Sequence, residues 1–186
     1  MENPKSQQSK ALLIEGARSY PEALAALSEF RRTIHTAWRD GLESRLGEVS
    51  AAMGLDLEPA QIADYANPDS LRSAEIDGEF AALGLQIKEA AWTLYFYLVW
   101  WKGFSANVSI WFKDPAMASA VFTVIKKVQG SYPAGLENKE VFISRSLAPE
   151  EAGGIEVVVC EMIQEWCRLW LRVGGLRQFQ RRAART

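Results

Sequence analysis

The run Trp92-Thr93-Leu94-Tyr95-Phe96-Tyr97-Leu98-Val99-Trp100-Trp101 constrains the fold of this chain more than any other segment. Aromatic and branched side chains favour a pleated strand, and the run is far shorter than the ~20 apolar residues a membrane helix needs. Lys102-Gly103-Phe104-Ser105-Ala106 separates it from Asn107-Val108-Ser109-Ile110-Trp111-Phe112-Lys113, where apolar and polar residues alternate. The two segments read as a β-hairpin. If Trp101 pairs with Asn107, Tyr97 lies opposite Trp111 and Val99 opposite Ser109, so Tyr97 and Trp111 are expected to pack together.

Side chains alternate between sheet faces with period two. Trp92, Leu94, Phe96, Leu98 and Trp100 then share an apolar face with Val108, Ile110 and Phe112, which reads as core. Tyr95, Tyr97, Trp101 and Trp111 share the other face with Ser109 and Lys113. That face is amphipathic, and two readings of it stand: the long first helix covers it, or it binds a partner. Tyrosine and tryptophan dominate interface hot spots, so Tyr95, Tyr97, Trp101 and Trp111 are the candidate partner-binding residues.

The surrounding pattern is α+β. Residues 1–17 lack periodicity and read as a disordered or loosely held arm. Pro21 suits a first helical turn. Leu27, Phe30, Ile34, Trp38, Leu42, Val49 and Met53 then mark a long amphipathic helix over about 21–53, with Gly41 and Gly47 weakening it and Gly54 stopping it. A polar connection over 55–78 holds Pro59, a short helix around Ala60–Ala66, and the turn signal Asn67-Pro68-Asp69-Ser70. Glu79–Lys88 reads as a strand. Asp114-Pro115 opens a second helix that runs to Gly130. Ser131–Lys139 reads as a loop and Val141–Leu147 as a fourth strand. Pro149-Glu150-Glu151 opens a third helix, restarted after Gly153-Gly154 and ended by Gly174-Gly175, with Trp166 and Trp170 on its buried side. The predicted order is α-β-β-β-α-β-α: an antiparallel sheet of about four strands packed by long N- and C-terminal helices. The predicted layout is one domain over 18–175 with a flexible basic tail over 176–186.

Charge narrows the function classes. The 186-residue chain is 48% apolar with a formal charge of −2, which suits neither a general nucleic-acid binder nor an acidic mimic of one. Arg168 to Thr186 nevertheless holds six arginines and no acid, leaving about −8 elsewhere. Arg172, Arg177, Arg181 and Arg182 are therefore candidate contacts to nucleic acid or to an acidic partner. Cys160 and Cys167 are two helical turns, roughly 10 Å, apart in one helix, too far to bridge, which points to a reducing compartment. The absence of a signal-peptide pattern gives a cytoplasmic expectation.

No catalytic grammar is evident. His35 is the single histidine, with no adjacent nucleophile, and one histidine with two cysteines gives no zinc spacing. The paired glycines match no phosphate loop. No cofactor and no metal are expected. Glu75, Asp77 and Glu79 precede the strand carrying Gln86-Ile87-Lys88, and this stretch resembles the PD-(D/E)XK nuclease family, some of whose members place Gln at the second acidic position. The resemblance implies that Asp77 and Gln86 would hold a divalent metal and Lys88 would stabilise the attacking water or the phosphate. A solvated strand face accounts for Gln86 and Lys88 equally. The order of elements also resembles small bacterial chaperones of secreted effectors, which are often acidic homodimers. The expectation is thus a non-catalytic protein-binding module, a small regulator, inhibitor or chaperone-like protein of bacterial or phage origin, paired with a protein or with itself. The alternative is an active or degenerate nuclease-like protein.

Overall fold

The computed structural model describes residues 4–66, 81–100, 104–128 and 130–176. The first helix, α1 (Pro4–Glu43), starts well before the expected position and runs through Pro21. Gln, Lys, Ala, Leu and Glu crowd residues 5–15, and these strong helix formers carry the helix across the one hydrogen bond that proline removes. The chain divides into two compact units after Thr33. The first is the N-terminal stretch of α1, held along its own surface by contacts such as Arg32 to Glu29 at 2.6 Å.

The second unit begins at Ile34. Its α1 segment ends at Glu43 rather than continuing to residue 53, and Arg45 opens a separate helix, α2 (Leu46–Met53). Gly54 closes α2 in the left-handed conformation, φ 69°, as a C-terminal glycine does. The connection that follows is not helical over 60–66. A short 3-10 turn at Pro59–Gln61 leads into a strand, β1 (Ala63–Ala66). Strands β2 (Ala81–Lys88), β3 (Trp92–Trp100) and β4 (Phe104–Phe112) form the antiparallel meander seen in the sequence. Helix α3 (Pro115–Ile125) follows, with the Asp114 carboxylate accepting from the Ala116 N–H at 2.9 Å.

The supposed loop over 131–139 contains a strand, β5 (Ala134–Glu137), paired with β6 (Glu140–Leu147) through a turn in which Asn138 has φ 53°. A 3-10 turn over Pro149–Gly154 precedes α4 (Ile155–Arg172), and Gly174 and Gly175 end it at φ 83° and 77°. The sheet has six strands in the order β1-β2-β3-β4-β6-β5, every pair antiparallel.

The hairpin register differs from expectation. Trp100 pairs with Phe104, Tyr97 with Asn107, and Thr93 with Trp111. The shift is four residues, an even number, so each side chain keeps its expected face. Tyr97 and Trp111 are therefore not cross-strand partners. Trp101 lies outside the described residues, as do Glu75, Asp77, Glu79, Arg177, Arg181 and Arg182.

One face of the sheet is dry. Leu94, Phe96, Val108, Ile110, Val141 and Ile143 are fully buried there. The Trp38 ring of α1 meets Phe96 at 6.0 Å between centroids, so the part of the first helix that belongs to the second unit, residues 34–43, packs on this apolar face. Helix α4 packs along β4 and buries Trp166 and Trp170, whose rings meet edge-on at 5.6 Å. Gly41 lets α1 approach α4, since a Cβ there would stand 2.9 Å from Val159 Cγ1. Gly175 donates its N–H to Trp170 O, and Leu176, fully buried, donates to Ala52 O at 3.3 Å. Among the described residues no helix is long and apolar enough to cross a membrane.

Candidate binding face of the sheet

The other face carries Tyr65 on β1, Tyr95 and Tyr97 on β3, Asn107, Ser109 and Trp111 on β4, and Glu140 and Phe142 on β6. Register brings them together: Tyr65 pairs with Gly84, Gly84 with Tyr97, and Tyr97 with Asn107. Gly84 has no room for a side chain, because a Cβ there would stand 1.9 Å from Phe96 O and 2.6 Å from Tyr97 Cα. With nothing projecting from Gly84, the rings of Tyr65 and Tyr97 meet across it at 5.9 Å, and Tyr65 meets Tyr95 at 4.9 Å. Tyr95 and Tyr97 meet edge-to-face at 6.4 Å, an arrangement that aromatic quadrupoles favour.

One carboxylate serves this cluster. The Tyr97 hydroxyl donates to Glu140 Oε1 at 3.1 Å, reaching from β3 over β4 to β6. Burial raises the pKa of Tyr65, Tyr95 and Tyr97, and the Glu140 charge raises each further. All three phenols therefore stay neutral and able to donate through the physiological range. Ser109 sits between Tyr95 and Phe142 in the register, fully buried. Its hydroxyl lies near enough to Tyr97 to offset part of that shift, yet Ser109 Oγ has no hydrogen-bond partner of good geometry.

Trp111 stands apart from the tyrosines. It is half-buried at the end of β4, with the Lys139 ammonium 5.8 Å from its ring centroid. Lys139 also donates to Lys113 O at 3.1 Å. Of the expected partner residues, then, Tyr95 and Tyr97 come together, while Trp111 lies beside Lys139. Tyr65 and Glu140 belong to the cluster but were not expected. Their strands are short or begin at the residue itself, and the only available signals were the tyrosine after Asp64 and the hairpin turn at Asn138.

Of the nuclease-like stretch, Gln86 and Lys88 lie within the described residues. The Gln86 amide donates to Asp64 O at 3.0 Å, and Lys88 is exposed at the end of β2. The strand is followed by β3. Among the described residues no three His, Cys, Asp or Glu side chains gather to hold a metal ion. His35, half-buried near Asp64 and Arg39, has its pKa lowered chiefly by burial.

Arg172 lines a second feature, a shallow cleft of about 510 Å³ between α2 and α4. Arg45 and Arg168 line it too. Arg45 pairs with Glu48 at 2.9 Å, and with its amide oxygen turned inward Gln164 accepts from both Arg45 η nitrogens. Arg168 pairs with the buried Glu165 at 2.9 Å, and Glu165 also accepts from the Ser131 N–H. The Cys167 thiol, also on the cleft wall, is pushed up to about 12 by burial. These pairings tie α4 to α2 and to the segment after α3.

No family model, curated protein or solved structure matches this chain.

Proposed function

We propose that this chain is a non-catalytic protein-binding module that engages its partner through the tyrosine face of its sheet. The observation that carries this reading is the difference between the two faces. Leu94, Phe96, Val108, Ile110, Val141 and Ile143 at the centre of the apolar face are fully buried, whereas on the other face Tyr65, Tyr95, Tyr97, Trp111 and Phe142 stay partly exposed around the buried Thr93, Val99, Asn107 and Ser109. Half-exposed phenols and indoles bury much area at little entropic cost when a partner arrives. A small regulator, inhibitor or chaperone-like protein fits this design. Two free cysteines, Cys160 half-buried and Cys167 buried, support work in a reducing compartment such as the cytoplasm.

A photo-reactive amino acid at position 95, compared with one at the exposed Val157 on α4, tests the reading in the cells that make the protein. A discrete adduct from position 95 and none from 157 is the expected result. An adduct of twice the chain mass identifies a second copy as the partner. Equal or absent labelling at the two positions overturns the proposal.

A further inference from the structure

We propose that Tyr65, Tyr95, Tyr97 and Glu140 together form a receptor for one basic side chain, a guanidinium or ammonium group, of the protein partner. The inference rests on the reading above and specifies its chemistry. The rings lie 4.9–6.4 Å apart and form one continuous aromatic patch on the half-exposed face. Glu140 is the carboxylate at its border, half-buried and bonded to the Tyr97 hydroxyl at 3.1 Å.

Charge selects the ligand. Among the described residues Glu140 forms no ion pair, unlike Glu151 and Glu161, which share Arg145, or Glu165, which holds Arg168. The adjacent Lys139 makes no ion pair with Glu140; its ammonium is held by Lys113 O at 3.1 Å and lies 5.8 Å from the ring centroid of Trp111, the residue opposite Glu140 on β4. A carboxylate with no ion pair among the described residues, beside three aromatic rings, repels anions. Covered by a purely apolar ligand, it would lose its water with nothing in return. A cation gains on both counts, from the ring quadrupoles and from the charge-assisted hydrogen bond.

The test uses the full chain with its tyrosine rings labelled for NMR and three probes, each acetylated on its α-nitrogen so that only the side chain differs in charge: arginine amide, lysine amide and the uncharged citrulline amide. The expected result is a saturable shift of the Tyr65 and Tyr95 rings with a charged amide and none with citrulline amide. In Glu140→Gln, which keeps an acceptor for Tyr97, that binding weakens about tenfold or more. Stronger binding of the arginine probe identifies a guanidinium ligand; stronger binding of the lysine probe identifies an ammonium. Shifts that citrulline amide reproduces, or that Glu140→Gln leaves unchanged, overturn the receptor. Its failure is separable from that of the binding face. A position-95 adduct that persists in Glu140→Gln overturns the basic side chain and leaves the face standing, whereas no position-95 adduct with Glu140 intact overturns the face itself.

Discussion

The Tyr97 hydroxyl and the Glu140 carboxylate, 43 positions apart in the chain, meet at 3.1 Å across an intervening strand. The register places them diagonally, since Tyr97 pairs with Asn107 while Glu140 pairs with Trp111, four residues further along β4. This contact joins the first hairpin to the strand added after α3, and the buried Ser109 lies on β4 midway between their two partners, Asn107 and Trp111.

Removing that hydroxyl has a thermodynamic and a pH signature. Tyr97→Phe is expected to cost about 1–2 kcal/mol in urea unfolding at pH 7, the scale of a hydrogen bond to a charged group. The folded state holds the Tyr97 phenol above its ordinary pKa of about 10. The unfolded chain releases that proton first, so the stabilisation is complete below about pH 10 and declines as pH rises above it. Stability between pH 9.5 and 11.5 should fall less steeply in Tyr97→Phe than in the parent chain. Parallel slopes would show that Tyr97 does not contribute to the alkaline loss.

Gly84→Ala tests the close approach that opens the tyrosine cluster. The new Cβ meets backbone atoms of β3, at 1.9 and 2.6 Å, and backbone cannot step aside as a flexible side chain can. A cost of about 3 kcal/mol or more is expected, with an altered near-ultraviolet tyrosine signal. Gly47→Ala, with nothing within 4 Å, is the control. It should stabilise α2 by a few tenths to about 1 kcal/mol.

Trp166 is fully buried against Trp170. Trp166→Ala should cost about 3–5 kcal/mol by chemical denaturation, through lost burial and the cavity left behind. A change under about 1 kcal/mol would mean that α4 does not supply core.

The two thiols should separate in a labelling experiment. Cys167 is buried, with its thiol pushed up to about 12, while Cys160 is half-buried. A disulfide reagent at pH 8, read by mass spectrometry, should modify Cys160 in the folded protein and Cys167 only on unfolding, because the thiolate is the reactive form. Equal rates would place Cys167 outside the core.

Much of this architecture was legible because it rests on strong local signals. The alternation in β4 assigned Val108, Ile110 and Phe112 to the core, and Asp114-Pro115 announced α3. Face assignment survived the register error because a slip of four preserves parity, whereas the exact pairing depends on the turn, which hydrophobic pattern does not encode. The two missed strands, β1 and β5, have four residues each, too few to establish a period. In β5 the disguise was chemical as well: Gly135 reads as a turn residue, but the Phe142 ring from β6 occupies the space its side chain would fill. The site was half legible for the same reason. Tyr95 and Tyr97 stood in the strongest segment, while Tyr65 and Glu140 reach them only through long-range pairing.

Those short outer strands also govern how the molecule can meet others. The sheet ends in β1 on one side and β5 on the other among the described residues. In an antiparallel pair only alternate residues turn their N–H and C=O groups outward, so each rim offers roughly two residues for a foreign strand to bond. Such a rim is a poor template for fibril growth. Among the described residues, the sheet therefore carries partly exposed tyrosine and tryptophan rings on its face while its two rims stay too short to lengthen strand by strand.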